Sequence, residues 1–597
     1  MREFATPPTI ENPTSGNLTD DVVRNAHQAG DAVVFSRQTG DGWHDVTAGD
    51  FLAQVNAVAK GLMAAGIEAG DRVALISKTR YEWTLFDYAI WFADAVTVPV
   101  YETSSAEQIG WVIQDSGARA VVAESAPHLA RVREAREAGA GSDLNHVWSI
   151  DDNAVGVLSK LGEDISAATL EARRTAVRPS DLATLIYTSG TTGRPKGCML
   201  THANFMFELS VSTDALHRLF DTEEASTLLF LPLPHIFARI IQIGCIKQRV
   251  RLGHSADIST LLADLEAVRP TFILAVPRMF EKIFNGASQR ATADGHGKAF
   301  NRAAEIAIAF SRAQDKGRVP VRVKVQHALF DKLVYNQLRG VLGGRCIYAI
   351  SGGAPLGERL GHFYRGIGVT VFEGYGLTET TAALTVNVPD AQKIGTVGRP
   401  IPGTAVRVAD DGELLFKGGQ VFAGYWNNEA ATAEAINDGW LHTGDVGEVD
   451  DEGFVRITGR KKEILVTAGG KNVAPTVLED RLRAHALVDQ CIVVGDGQPF
   501  IAALVTLDRD AFPAWAAANG KSGSVEKNLH DPDLRAEIDT AVEDANSAVS
   551  RAEAIRKFVI LPDVWTEEGG HLTPSLKLKR NVVMRQFRDD VEALYAP

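Results

Sequence analysis

The run YTSGTTGRPKG, from Tyr187 to Gly197, gathers hydroxyls, glycines and a lysine immediately after the apolar segment LATLIY. That composition suits a polyphosphate. Gly190, Gly193 and Gly197 let the backbone turn tightly and bring N–H groups toward an anion. Thr188, Ser189, Thr191 and Thr192 add donors, and Lys196 adds a full charge. Lys196 lies between Pro195 and Gly197, not between glycine and Ser or Thr, so a P-loop NTPase fold is disfavoured. A polar surface turn is the alternative, and the strand-like LATLIY argues against it. No Ser/His/Asp constellation stands out. Cys198, Cys245, Cys346 and Cys491 are widely separated, show no metal-ligand spacing, and read as reduced thiols.

The elements that must position this run follow an α/β pattern. Phe51, Val55, Val58, Leu62 and Met63 form a helical stripe, and VALIS (73–77), TVPV (97–100) and RAVVAE (119–124) read as strands. Further strands are expected at TFILAV (271–276), CIYAI (346–350) and VTVF (369–372), with a mostly helical interval from Glu281 to Arg339. At 597 residues, 45% hydrophobic and 23% charged, the chain can bury more than one core. A net charge of −14 argues against general nucleic-acid binding, although a local basic patch could receive a phosphorylated cofactor. The N-terminus lacks the pattern of a secretory signal, and no apolar run approaches the roughly 20 residues needed to span a bilayer. A cytoplasmic protein is expected, with any membrane contact peripheral.

Four further segments recur in a recognisable order: YGLTET at Tyr375–Thr380, DGWLHTGD at Asp438–Asp445, GRKKEILVTAGGKN at Gly459–Asn472 and LTPSLKLKR at Leu572–Arg580. With the glycine-rich run, they make the chain resemble the adenylate-forming superfamily of acyl-CoA synthetases, luciferases and adenylation domains, over about residues 45 to 580. It looks most like the bacterial long-chain fatty-acid CoA ligases. The resemblance implies a large N-terminal adenylation domain, 1–459, of layered sheets and helices carrying the ATP and acyl sites. It implies a small mobile α+β C-terminal domain, 460–597, with a hinge near Lys462. GRKKE would otherwise be a solvated charged turn, and the two readings are compatible.

The reaction implied is ATP-dependent activation of a carboxylate through an acyl-adenylate, then transfer to CoA with release of AMP and pyrophosphate. A carboxylate must approach a phosphate of like charge, so catalysis must be electrostatic and positional, with no general base needed. By matching motif positions, Thr188 and Glu379 would hold Mg²⁺ through hard oxygen ligands. Glu379 by itself could equally be a surface carboxylate or an ion-pair partner. The resemblance assigns the nucleotide to Thr188, Ser189, Gly190, Thr191, Thr192, Gly193 and Lys196. Gly352, Gly353, Ala354, Pro355, Glu373, Gly374, Tyr375 and Gly376 would wall the adenine pocket. Tyr375 offers a stacking face, with core packing as its alternative. Thr378 would lie beside the α-phosphate, Asp445 on the ribose hydroxyls and Arg460 as a second nucleotide contact. Lys577 is expected to bridge carboxylate and α-phosphate, with Lys579 its nearest rival. Leu576 stands where the family often has glycine.

Domain rotation would then present Lys462 and the glycines Gly469 and Gly470 for thioester formation. His235, Phe237 and Arg239, within FLPLPHIFARI (230–240), are candidates for the acyl channel; Arg239 stands where some bacterial relatives carry a gating tryptophan. His235 could instead be a hydrogen-bonded core histidine. A long acyl tail would contribute about 0.8 kcal/mol per buried methylene. Two other readings stay open: a fatty acyl-AMP ligase that passes its adenylate to a carrier protein, and a non-catalytic acyl-nucleotide binder. The family's hinge-restraining insertion is not evident between Gly376 and Gly459, which disfavours the first. Lys196, Glu379, Asp445, Arg460 and Lys577 together disfavour the second.

Overall fold

A computed structural model describes residues 1–188, 194–220, 224–573 and 577–596. The segment LATLIY extends one residue to form the strand Leu182–Thr188, buried over Ala183–Leu185 without exposure. It sits inside a seven-stranded sheet whose parallel part runs Leu182–Thr188, Val96–Val100, Arg72–Ile76, Ala120–Ala123 and His146–Ser149. Near-continuous apolar runs are what a parallel sheet covered on both faces requires. On its other edge Leu182–Thr188 pairs antiparallel with Lys196–Thr201, Thr188 opposite Lys196, so the glycine-rich run joins two adjacent strands.

A five-stranded sheet orders Phe272–Ala275, Tyr348–Ser351 and Thr370–Leu377 in parallel, then Ala382–Val386 and Arg399–Pro400 antiparallel. SGGAP therefore leaves the carboxyl end of Tyr348–Ser351, and EGYGLTE forms and leaves the carboxyl end of the neighbouring strand Thr370–Leu377, where α/β sheets place ligands. The helix Tyr81–Phe92 is buried on every side, so its sequence lacks the one-sided apolar stripe of a surface helix. As expected, helices occupy most of 281–339, from Pro277–Ala293 to Asn336–Val341.

From residue 465 onward a three-stranded sheet, Val488–Val494, Ile501–Leu507 and Ile555–Leu561, packs against Pro475–Arg483 and Pro532–Asn546. The hydrophobic clusters of the described residues separate at this point. Those built before Ile457 and those built after Leu465 share no member.

Candidate functional site

The site grows from three backbone features. After Thr370–Leu377 the chain makes one 3₁₀ turn, Thr378–Thr380, and folds back as Ala382–Val386, with Thr381 at φ 52° and Ala382 at φ 93°. That reversal brings the return strand so close that a Cβ on Gly376 would lie 1.5 Å from the Ala382 carbonyl oxygen. Only glycine permits the turn, and the turn presents Glu379. The second feature is Gly352, where a Cβ would meet the Phe237 ring at 3.1 Å and the Gly374 carbonyl at 3.3 Å. SGGAP, YGLTE and the start of the helix Ile236–Gln248 thus converge on one point. The third is the antiparallel pairing of Trp440–Val449 with Val455–Arg460, which sets Asp445 directly opposite Arg460.

Asp445 is 4% exposed; Arg460 Nε donates to its Oδ1 at 2.9 Å and the Tyr375 hydroxyl to its Oδ2 at 2.6 Å. Each oxygen keeps a further lone pair for an outside donor. Tyr375 is tilted against Phe416 at 6.0 Å between centroids, so one ring serves both packing and the site. Burial, with Asp445 beside it, keeps its hydroxyl protonated far above the ordinary range. Glu373 is buried and accepts from the Leu356 N–H at 3.0 Å; burial pushes its carboxyl up to about 7. Gly353, at φ 83°, lies with its Cβ direction 3.8 Å from Cε of Lys577. Ala354 and Pro355 follow in the same exposed loop.

The second cluster surrounds Glu379. The Tyr425 hydroxyl donates to its Oε1 at 2.7 Å, and Lys196 Nζ lies 5.0 Å above the Tyr425 ring. Thr188 Oγ1 is 4.0 Å from Cys198 Sγ, and Cys198 also interacts with Glu379, so Thr188 and Glu379 flank the same thiol. Among the described residues no group of three His, Cys, Asp or Glu could cage a metal. A hydroxyl and one carboxylate fit Mg²⁺ carried largely by phosphate oxygens and water, which is that ion's habit. Ser189, Gly190, Thr191, Thr192 and Gly193 lie outside the described residues. The flanking Arg194 stacks over Trp111 at 4.7 Å and the Trp111 N–H donates to the Pro195 carbonyl at 2.9 Å.

Lys577 reaches this site from the far end of the chain. The Thr573 N–H donates to the Lys577 carbonyl at 2.8 Å, and the Lys577 N–H to Thr573 Oγ1 at 3.0 Å. Removal from water and then Arg460 lower the Lys577 ammonium, opposed by Asp445 and Glu379, although part of the residue stays open to solvent. Thr378 lies half-buried in the same turn as Glu379. Lys462 is exposed in the 3₁₀ turn Lys461–Glu463.

His235 caps the helix Ile236–Gln248, its Nδ1 accepting from the Phe237 N–H at 3.2 Å. Burial, then Lys577, lower its imidazole to about 3, so it is neutral with the proton on Nε2. Arg239 corrects the expectation that it lines an acyl channel. Its guanidinium has no exposure, is paired with Asp87, donates to Thr184 Oγ1 at 2.7 Å, and is enclosed by Trp83, Trp91 and Phe205. A partner 152 residues earlier, on the fully buried helix Tyr81–Phe92, leaves no pattern in the motif itself. Tyr425 was missed for a related reason: its role depends on strand Gly424–Tyr425 pairing with Lys196–Thr201.

The chain belongs to the AMP-binding enzyme family: residues 22–426 match that family's description, and residues 462–597 match the AMP-binding enzyme C-terminal domain. It is 50% identical over 600 residues to the long-chain-fatty-acid–CoA ligase FadD15 of Mycobacterium bovis, covering 100% of both chains. Its counterpart in Mycobacterium tuberculosis is 49% identical with the same coverage. The adenylation and carrier didomain of a Segniliparus rugosus carboxylic acid reductase, solved with AMP, shares the fold at a TM-score of 0.75. It is 21% identical, over 99% of this chain and 84% of that one.

Proposed function

We propose that this protein is a long-chain fatty acid–CoA ligase that forms an acyl-adenylate and then a CoA thioester. The observation that carries the reading is the full-length 50% identity to a long-chain-fatty-acid–CoA ligase. The convergence of Lys577, Arg460, Asp445 and Glu379, from distant segments, supports it. Domains are proposed as 1–459 and 460–597 with the hinge at Lys462, and the segregation of the hydrophobic clusters supports that division.

In the first half-reaction a carboxylate oxygen attacks the α-phosphorus and pyrophosphate leaves. Lys577 neutralises the meeting anions, an electrostatic role suited to a partly desolvated ammonium. Asp445 orients the ribose through lone pairs left beside Arg460 and Tyr375, and Lys196 and the 189–193 segment hold phosphate oxygens. Thr188 and Glu379 would hold Mg²⁺, which when bound supplies further neutralisation of phosphate charge. In the second half-reaction the CoA sulfur attacks the acyl carbonyl carbon, AMP leaves, and the thiol proton goes to solvent. Location is proposed as cytoplasmic; no helix among the described residues is long and apolar enough to cross a membrane.

The test incubates the protein with Mg²⁺, ATP and acids of graded length, with and without CoA, and separates acyl-AMP from acyl-CoA. Acyl-CoA that appears only with CoA, and best with long acids, is expected. Acyl-AMP that persists in the presence of CoA would sink the reading in favour of a carrier-directed ligase.

A further inference from the structure

The helix Val321–Phe330 has no buried residue, yet six of the ten residues in its sequence VRVKVQHALF are apolar. Its inner side is well held. His327 stacks on Phe310 at 3.8 Å between centroids, with Nε2 2.6 Å from the Gly366 carbonyl. The next segment, Asp331–Tyr335, is anchored by the Tyr335 hydroxyl donating to the Ala303 carbonyl at 2.7 Å. The outer side carries Val321, Val325, Leu329 and Leu333, exposed by 77%, 65%, 57% and 57%. Spacing by four puts Val321, Val325 and Leu329 in one stripe along the helix, and Leu333 follows in the next segment.

Charge around the stripe has one sign. Lys316, Arg318, Arg322, Lys324 and Lys332 are all exposed, and from 316 to 330 there is no acidic residue. The acids at either end are turned to arginines at their backs: Asp315 pairs with Arg365 at 2.7 Å and Asp331 with Arg339 at 2.7 Å. In a chain of net charge −14, five cations surround four exposed apolar side chains, three on this helix and one on the segment after it. Viewed along the axis, Arg322 and Lys324 fall on opposite flanks of the stripe, 100° per residue from Val321.

We propose that this face docks on an anionic lipid bilayer, the apolar stripe entering the headgroup boundary and the flanking cations meeting lipid phosphates. The combination of an apolar face with basic margins is the composition of an interfacial helix. A second copy of the chain is the poorer occupant, because a two-fold contact through this face would set five cations against five. Nucleic acid would match the cations and leave the apolar stripe unused. Elsewhere the negative net charge repels an anionic surface, so the patch also fixes which side faces the membrane.

The experiment pelleted with vesicles uses the full chain at low salt, with vesicles of phosphatidylcholine alone or with about one-third phosphatidylglycerol. Binding to the anionic vesicles, weak on phosphatidylcholine and falling with added salt, is the expected result. Each cation is worth about fivefold in partition, so Arg322→Glu with Lys324→Glu should weaken binding more than about twentyfold. Val325→Glu with Leu329→Glu should weaken it independently; both pairs are exposed, and unchanged circular dichroism and melting temperature confirm that they fold. Binding to neither vesicle, binding that both double variants retain, or a concentration-dependent dimer that Val325→Glu with Leu329→Glu abolishes would overturn the proposal. Vesicle binding does not rest on the catalytic reading: with an acid in detergent-free solution as substrate, both variants should turn over at the wild-type rate. Failure of turnover in wild type would count against the function and leave the docking result standing.

Discussion

Removing Arg239 should expose how much the larger body depends on one buried ion pair. The guanidinium donates to Asp87 Oδ2 through Nε at 2.9 Å and pairs with Oδ1 through its second nitrogen. Asp87 also accepts from the Thr97 hydroxyl at 2.8 Å, and the Thr184 hydroxyl donates to the Thr97 carbonyl at 2.6 Å. The Arg239 N–H closes the first turn of its helix on the His235 carbonyl at 3.2 Å. One pair therefore ties the His235 and Phe237 turn to the helix Tyr81–Phe92 and to the strand that ends at Thr188. Arg239→Met strands a carboxylate with no exposure, at a cost of about 3–5 kcal/mol. Unfolding entropy near 2.1 cal/mol/K per residue over roughly 450 residues is about 0.9 kcal/mol/K, so the melting transition should fall about 3–5 °C. Arg239→Met combined with Asp87→Leu removes both charges and should recover at least half of that loss, because a well-packed apolar pair avoids the desolvation cost. Differential scanning calorimetry of wild type, both single variants and the double variant measures it. A shift below about 1 °C for Arg239→Met, or a double variant as unstable as the sum of the singles, would refute the reasoning.

Lys577→Met should lower acyl-AMP formation about 10²–10³-fold while sparing thioester formation from supplied acyl-AMP, followed by single-turnover chromatography. Lys462→Pro should do the reverse, retaining adenylation and losing thioester formation; equal loss of both steps would remove Lys462 as the hinge. Stability should also depend on pH in two opposed directions. His202 and His235, lowered to about 3, and His254, lowered to about 4, stay neutral in the fold while the unfolded chain takes up protons below about 6.5. Their contribution is lost as pH falls from about 6.5, by about 1.4 kcal/mol per unit per group. Glu208, raised to about 8, and Glu373, raised to about 7, keep protons that the unfolded chain releases above about 4.5, so their contribution is lost as pH rises through that range. Three groups outweigh two below about 6.5 and the two acids act alone above it, which puts the best melting temperature from these five near pH 6.5. Glu208→Gln, keeping the Ser212 contact at 2.8 Å, should flatten the alkaline fall in a thermal-shift series.

Much of the candidate site was legible in the sequence because its pieces are local. A glycine that cannot carry a Cβ, a hydroxyl-rich run after an apolar strand, and a carboxylate at a strand's carboxyl end are constraints each satisfied within a few residues, as at Gly376, Thr188 and Glu379. The α/β class follows in the same way, from the periods of short apolar runs and longer helical stripes. Tertiary structure alone decided which of these pieces meet. Arg239 lies within an apolar motif where a channel residue was expected, and only the fold brings Asp87, 152 residues earlier, onto its guanidinium. Tyr425 joins Glu379 and Lys196 through a strand pairing that no local pattern announces. Lys577 carries a charge in any conformation, but its partial loss of solvent beside Arg460 exists only when the C-terminal segment is folded against the site. Residue type and short-range sterics travel with the chain; desolvation and pairing between distant segments are properties of the packed whole.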